Sequence, residues 1–528
     1  MFVLKNNRDM ETTPIRKLPV GIQDFTSLRE DGYLYVDKTA LVYKMVTTGK
    51  PYFLSRPRRF GKSLLISTLE AYFEGKRELF EGLAVEKLEK DWVKRPVLHL
   101  DLNTEKYEDP ESLENILNDT LCYWERIYGT EPSETSLPLR FKGIIRRAHE
   151  QTGHRVAILV DEYDKPMLQA IGNEELQKSF RSILQAFYSV IKTMDGSIKF
   201  AFLTGVTKFG KISVFSALNN LNDLSMWDEY VALCGITEQE LHDNFEEGIN
   251  KLAQAQGMTY DEVCSELKEC YDGYHFVENS IGIYNPFSLL NTFAKRKFGN
   301  YWFETGTPTY LVELLKMHNY DLHNMENVET DEDTLNSIDS SSTNPIPVIY
   351  QSGYLTIKDY DREFGTYYLG FPNREVDEGF MKFLLPFYTD TDKVDVAFHI
   401  NKFVREVRSG DYDAFFRRLQ SFFADTPYEL VRDLELHYQN VLFIVYKLIG
   451  FYVKAEYHTS QGRIDLLLQT DKFIYVMEFK FEGTAEEALR QINEKNYALP
   501  FASDPRKLFK IGINFSNEMR NIEQWVVE

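Results

Sequence analysis

Two sets of residues in this 528-residue sequence have types and spacings suited to phosphate chemistry. The first lies in "LSRPRRFGKS", residues 54–63, where Gly61, Lys62 and Ser63 follow an apolar run and precede the helical pattern "SLLISTLEAYF". A phosphate loop points successive backbone N–H groups inward at the start of a helix, where negative charge is favoured. The lysine then reaches the β- and γ-phosphates, and the serine hydroxyl holds Mg2+. The glycine expected five residues before Gly61 is missing, and Arg56 stands there. Pro57 offers no N–H, so the amide nest is poorer than usual. Arg58 and Arg59 can offset this with charge-assisted hydrogen bonds to phosphate. Taken alone, G-K-S is also what a helix start with a solvated lysine shows.

The run "VAILVDEYD" (156–164) weighs against that plainer reading. It is an apolar strand ending in Asp161 and Glu162. A buried strand has no use for two carboxylates at its C-terminal end unless they meet a cation or water. Strand C-termini are where ligands bind in such sheets. Asp161 would ligate Mg2+ through water, and Glu162 would polarise the attacking water. About 100 residues separate the two motifs, with "PVLHLDL" between them, which leaves room for a strand inserted between the loop strand and the Asp strand. "IKFAFLTG" (198–205) supplies the next strand, and Thr204 at its end either senses the γ-phosphate or caps the strand.

The second set is Asp465, Glu478 and Lys480 in "GRIDLLLQTDKFIYVMEFK". A turn of about four residues at 470–473 would set Asp465 across a hairpin from Glu478. Glu478 and Lys480 stand at i and i+2, on the strand face that carries Ile474 and Val476. Two acids and a lysine on an apolar strand are costly to bury unpaired. A divalent metal, Mg2+ or Mn2+, held by both carboxylates would satisfy them and generate a hydroxide nucleophile, with Lys480 stabilising charge at the phosphate. This is the D…E-x-K arrangement of restriction-type nucleases. Glu435 on the preceding helix is a further candidate metal ligand, and Gln491 on the following helix a further catalytic candidate. A salt-bridge cluster on a sheet edge is the alternative.

The elements that must position these residues are legible in outline. Residues 39–48 read as a helix with Asp37 as N-cap. Strands at 51–55, 96–102, 155–164 and 198–205 alternate with helical stretches, which implies a parallel sheet covered on both faces. Thr237 and Glu240 form a capping box that opens a new helix. Residues 236–320 read as mainly helical, and the acidic, Ser-rich 327–347 as a loop or linker. Two β-rich pieces, "VIYQSGYLTIKDYD" and "TYYLGFPN", precede a helix from about Val376 and suggest a winged-helix-like unit. The last block reads as strands "YVKAEYHT", "GRIDLLLQ", "FIYVMEFK" and "KLFKIGINF" with a helix at 484–497. The fold class expected is thus α/β: a P-loop NTPase domain (1–235), a helical, winged-helix-like lid and linker region (236–390), and a restriction-endonuclease-like α/β domain (391–528).

Composition bounds the function. The net charge of −21 repels nucleic acid on average, so binding it needs a local basic patch. Lys402, Arg405 and Arg408 fall on one helix face, followed by Arg417 and Arg418; a solvated face is the plain reading. "YDGYHF" and "YNPFSLL" could stack bases, though core packing is the commoner use of such aromatics. The four cysteines form no C-x-x-C pair or zinc spacing, as expected of reduced cytosolic thiols. The best apolar stretch, "VLFIVYKLIGFYV", is interrupted by Lys447 and falls short of the ~20 residues of a bilayer span. A cytoplasmic protein is expected, with room for homo-oligomerisation.

The chain resembles, over nearly its whole length, a bacterial family with an N-terminal AAA-ATPase-like domain and a C-terminal PD-(D/E)XK nuclease-superfamily domain. The resemblance rests on "GIQDFTSLREDGYLYVDKT", "YFLSRPRRFGKSLLISTLEAYFEG", "VDEYDKP" and "LTGVTKFGKISVFSALNNL" in the first part, and on "YDGYHF", "YNPFSLLN" and "NYWFETGTPTYL" in the middle. At the C-terminus it rests on "GRIDLLL", "EFK" and "QINEKNYA". It implies that the rewritten loop is this family's own form. It also implies ATP at Gly61, Lys62 and Ser63, and a nuclease-like centre at Asp465, Glu478 and Lys480. Ile464 stands where the superfamily motif has its proline. Two functions follow as expectations. One is an ATP- and metal-dependent enzyme acting on nucleic acid. The other is an ATP-dependent switch whose last domain is a catalytically silent recognition module.

Overall fold

Apolar runs bounded by turns form strands where a sheet can bury them on both faces. The computed structural model describes residues 17–208, 221–303, 309–336, 344–389, 391–392, 394–424, 434–460, 463–516 and 518–528. In it β1 (Tyr52–Ser55), β2 (Val97–Asp101), β3 (Val156–Asp161), β4 (Ile198–Gly205) and the short β5 (Asn222–Asp223) form a parallel sheet in the order β2-β3-β4-β1-β5. Strands β1 and β3 are buried at every position, whereas edge strand β2 alternates. Helices α1 (Thr39–Thr48), α2 (Lys62–Phe73), α3 (Pro110–Tyr128), α4 (Leu137–Thr152) and α5 (Glu174–Thr193) connect these strands or precede them.

The topology sharpens one expectation. A strand does lie between the loop strand β1 and the acid-bearing β3, but it is β4, the strand of Thr204. "PVLHLDL", β2, lies beyond β3 at the sheet edge. At α1 the N-cap position falls on Lys38, not on the expected Asp37, whose carboxylate one residue earlier accepts from both the amide and the hydroxyl of Thr39, the first helical residue.

After β5 the chain becomes helical, as the capping box predicts. Thr237 accepts from Glu240 N at 3.2 Å and Glu240 returns the bond to Thr237 N at 2.9 Å, opening α6 (Glu238–Gln256). With α7 (Tyr260–Tyr271) and α8 (Pro286–Lys295) it closes over a core that includes Leu241, Phe245, Ile249, Leu267 and Phe293. The strands β6 (Ile236–Thr237) and β7 (Ile283–Tyr284) pair antiparallel beside that core.

The expected linker at 327–347 is in part structured. It holds β8 (Val328–Thr330) and a short helix, Glu332–Asn336, while 337–343 fall outside the described residues. β8 joins β9 (Thr356–Asp361) and β10 (Thr366–Gly370) in an antiparallel sheet of order β8-β10-β9. "VIYQ" belongs to a helix, Ile346–Gln351, and not to the β-rich piece expected there. The helix expected from Val376 is α9 (Arg374–Tyr388).

Helices α10 (Val396–Ser409), α11 (Tyr412–Ala424) and α12 (Leu434–Gly450) lead into a second five-stranded sheet. Its order is β11 (Lys454–Ser460), β12 (Arg463–Gln469), β13 (Phe473–Lys480), β14 (Lys507–Ser516) and β15 (Asn521–Val527). The β13–β14 pair is parallel and the others antiparallel. Helix α13 (Ala485–Glu494) makes the β13–β14 crossover. Gly512 permits its close seat: a Cβ there would lie 2.1 Å from Ala485 O and 2.4 Å from Leu489 N. Strand β15 was not anticipated, because "NIEQWVV" mixes polar and apolar residues without alternation.

By its contacts the chain divides into two compact units. One comprises Met1–Tyr301, Asp333–Ser341 and Gln351–Gly353; the other comprises Trp302–Glu332, Ser342–Tyr350 and Tyr354–Glu528. No helix among the described residues is long and apolar enough to cross a membrane.

Candidate functional site

In the first unit the groups singled out by sequence meet at the C-terminal ends of β1, β3 and β4. Gly61 takes φ 92°, a left-handed conformation that only glycine adopts cheaply, and α2 begins at the next residue. Lys62 is buried, with 4% exposure. Its Nζ donates to the carbonyls of Arg56 at 3.1 Å and Pro57 at 3.2 Å, and lies 3.5 Å from Glu162 Oε1. Ser63 hydrogen-bonds the Asp161 carboxylate. Arg58 and Arg59 are both exposed. Arg59 has φ 67° and its guanidinium stands 4.9 Å from the centre of the Phe287 ring of α8.

Asp161 ends β3 and is buried, and Glu162 follows it at φ 52°. Burial, together with the neighbouring Glu162 charge, pushes the Asp161 carboxyl up to about 6, with Ser63 and Lys62 opposing the rise. A carboxylate held in this way lacks compensating positive charge. Mg2+ would supply it, with Ser63 Oγ and Asp161 as the hard oxygen donors such an ion prefers. Thr204 is paired in register with Leu54 of the loop strand. Its Oγ1 is buried and has no hydrogen-bond partner among the described residues, which is uncommon for a buried polar atom. Beside Gly61 an apolar cavity of about 100 Å3 is walled by Tyr35, Leu64, Leu65, Leu233, Ile236 and Pro286.

Sequence reasoning missed Asp164. It is fully buried and accepts from Thr207 N and Oγ1, both at 2.6 Å, and from Val206 N at 3.2 Å. It thereby ties the segment after β3 to the segment after β4, and Tyr163 N adds a 3.0 Å bond to Thr204 O. The signal was present: three acids within "DEYD" exceed what one metal and one water need.

In the second unit the predicted hairpin forms with the predicted register. Thr470 N donates to Phe473 O at 2.8 Å, and Phe473 N to Thr470 Oγ1 at 2.9 Å. Asp465 stands opposite Glu478; its side chain lies outside what is described. Glu478 is fully buried. Lys480 is half-buried, and its Nζ donates to Gln491 Oε1 on α13 at 2.9 Å. A strand residue and one from the helix that follows it are thus brought together on the strand face that also carries Glu478.

Glu435 lies in the first turn of α12, where its Oε1 accepts from Gln439 Nε2 at 3.2 Å. That helix packs on the other face of the sheet, as Tyr438 stacks on Phe515 at 4.7 Å and on Phe481 at 6.2 Å. Asn514, unremarked in the sequence, pairs in register with Lys480 and is buried. Its Nδ2 donates to Glu523 Oε2 at 2.7 Å, while its Oδ1 has no partner among the described residues. A lone amide in the apolar run "KIGINF" was the available signal. Glu478 and the Asn514 amide oxygen are hard oxygen donors of the kind that Mg2+ or Mn2+ takes.

The basic helix face is largely engaged within the unit. Arg418 pairs with Glu406, Arg408 donates to Tyr452 O at 2.7 Å, and Lys402 lies 4.0 Å over the Phe398 ring.

With this geometry in view, two family models match the chain: predicted AAA-ATPase over residues 19–215 and PD-(D/E)XK nuclease superfamily over residues 433–525. The chain belongs to the family of AAA-ATPase-like proteins that end in a PD-(D/E)XK nuclease-superfamily domain. Among its relatives is an uncharacterized protein in the vnfD 5' region of Azotobacter chroococcum mcd 1, 36% identical over 524 residues, which span 97% of this chain and 99% of that protein.

Proposed function

We propose that this protein binds and hydrolyses ATP with Mg2+ in its first unit, and that its C-terminal domain cleaves nucleic acid with a divalent metal. The observation that carries the first half is the convergence of Lys62, Ser63, Asp161 and Glu162 at the C-terminal ends of β1 and β3, across the intervening β4. Bound Mg2+–ATP would supply the phosphate charge that Lys62 and Ser63 lack. Lys62 then exchanges Glu162 for phosphate, and the carboxylate so released is placed to orient and deprotonate water. Thr204 Oγ1 holds that water or a terminal phosphate oxygen. The apolar cavity beside Gly61 takes the base.

The second half is carried by Lys480 and Gln491, held together on the face of Glu478 and in a strand whose register sets Asp465 opposite Glu478. The two acids would hold the metal, whose chemistry there would be the activation of water. Lys480 places its charge on the scissile phosphate, and Gln491 orients the ammonium. The full-length protein, incubated with single- and double-stranded DNA and RNA and with Mg2+ or Mn2+, with and without ATP, tests both halves. The expected result is ATP hydrolysis together with metal-dependent cleavage of at least one nucleic acid. Hydrolysis without any cleavage would leave the switch reading, in which the last domain only recognises its partner. The net charge of −21 and the engaged basic helix face support that second reading.

A further inference from the structure

The residue that breaks the expected loop pattern is buried and held through both terminal guanidinium nitrogens. Arg56 is 1% exposed. Its Nη1 donates to Ser55 O at 2.9 Å and Ser225 O at 2.8 Å, and its Nη2 to Tyr230 O at 3.4 Å. The guanidinium stands 4.0 Å from the centre of the Phe276 ring. Arg56 O, in turn, accepts from Lys62 Nζ. The partners are themselves tied down. Ser225 Oγ accepts from Ser55 N at 2.8 Å, and Ser225 N donates to Asp223 Oδ1 at 2.9 Å.

Phe276 belongs to "YDGYHF", a motif the functional reading left unused. Its ring and that of Tyr274 both pack edge-on against Phe60, at 5.7 and 4.8 Å, at the other end of the loop. One aromatic segment therefore grips the loop before and after its turn. A glycine at position 56 would leave the backbone free to adapt to phosphate. The arginine does the opposite: a planar fork with several fixed acceptors and a ring beneath it leaves little rotational freedom.

We infer that Arg56 is a positioning residue of the nucleotide site. Its side chain fixes the carbonyl on which Lys62 rests, and so aims Lys62 at the β- and γ-phosphates while fastening the loop to the Phe276 segment. This rests on the reading of residues 54–63 as a nucleotide loop. It assigns "YDGYHF" to holding that loop and not to stacking bases.

The test is calorimetric titration of the full-length protein with ATP and with ADP in Mg2+, for wild type, Arg56→Gly, Arg56→Met, Phe276→Leu and Phe276→Tyr. Arg56→Gly restores the ordinary loop pattern, yet it is expected to weaken ATP binding about tenfold or more, as Arg56→Met does. The preference for ATP over ADP should fall with it, because a misaimed lysine loses the γ-phosphate first. Phe276→Leu should lose part of the affinity, and Phe276→Tyr should recover it. An Arg56→Gly protein that binds ATP as tightly as wild type overturns the inference. So does an equal loss for ATP and ADP with a lowered melting temperature, which marks a merely structural arginine. Should the Arg56 variants not fold, Phe276→Leu with an unchanged ATP-to-ADP ratio overturns it on its own. Wild-type protein that binds neither nucleotide removes the loop reading first, and the inference with it.

Discussion

The two lysines at the candidate sites are held in opposite ways. Lys62 is buried against the Glu162 carboxylate and two backbone carbonyls. Lys480 is half-buried and held by the neutral amide of Gln491. A lysine paired with a carboxylate must give up that partner before it serves a phosphate. One held by an amide keeps its full charge available throughout. The first arrangement links ligand arrival to the release of a catalytic carboxylate. The second is suited to a centre that only has to wait for substrate and metal.

Removing Lys62 should produce the largest loss of nucleotide affinity. A charge-assisted hydrogen bond is worth about 1.5–3 kcal/mol, and each ~1.4 kcal/mol is tenfold in affinity. Lys62→Ala is therefore expected to weaken ATP at least ~10- to 100-fold in a calorimetric titration. It also leaves Glu162 without that partner, which an unchanged melting curve would argue against.

The second centre should respond to metal, not to nucleotide. Mg2+ or Mn2+ should raise the temperature at which the second unit of the full-length protein melts, by mass action. Asp465→Ala or Glu478→Ala should erase that rise along with any cleavage. Lys480→Ala should keep the rise and lose cleavage. If all three variants are simply destabilised and metal never shifts the wild-type curve, the residues form a structural ion cluster.

The buried acid of the first site gives a pH signature. The folded protein holds a proton on Asp161 up to about 6, above the ~3.9 of an exposed aspartate. The stability this confers is complete below about pH 4 and lost as pH rises through 6. Asp161→Asn should therefore be more stable than wild type at pH 8, by on the order of 3 kcal/mol, and about equal at pH 4. Magnesium competes with the same proton, so Mg2+-dependent ATP affinity should rise from pH 5 to pH 7 in wild type and stay flat in Asp161→Asn. A flat wild-type profile would remove Asp161 from the metal site.

The smallest effect belongs to Gln491. Gln491→Leu should lower cleavage several-fold and leave the metal response intact, since it removes only the group that orients Lys480. Loss of the metal-induced shift in this variant would give Gln491 a different role.

The first sheet was legible because its strands are apolar runs closed by turns, and buried parallel strands need no alternation to be recognised. The Asp465–Glu478 register was legible because a four-residue turn fixes it. Strand β8 was hidden in an acidic, Ser-rich stretch that reads as solvent-facing. The sheet order was hidden as well, since nothing local tells whether β2 or β4 lies between β1 and β3. Arg56 was read as a damaged glycine because local pattern weighs only the backbone it displaces. Its side-chain acceptors lie about 170 residues away in Ser225 and Tyr230. Asn514 was overlooked because a single polar residue in an apolar run has no periodic signal, and Asp164 because its partners, Val206 and Thr207, lie about 40 residues away.

The central claim, that Lys62, Asp161 and Glu162 form a working ATPase site, is tested most directly by Glu162→Gln. This change keeps the side chain's shape, removes the charge that Lys62 must leave, and removes the group that activates water. ATP affinity and turnover, measured on the same preparation of full-length protein, should separate. Affinity should equal or exceed that of wild type while steady-state hydrolysis falls at least 100-fold, in line with the ~10²–10⁴-fold contribution of a general base. Hydrolysis at the wild-type rate, or affinity lost in step with hydrolysis, would contradict the account.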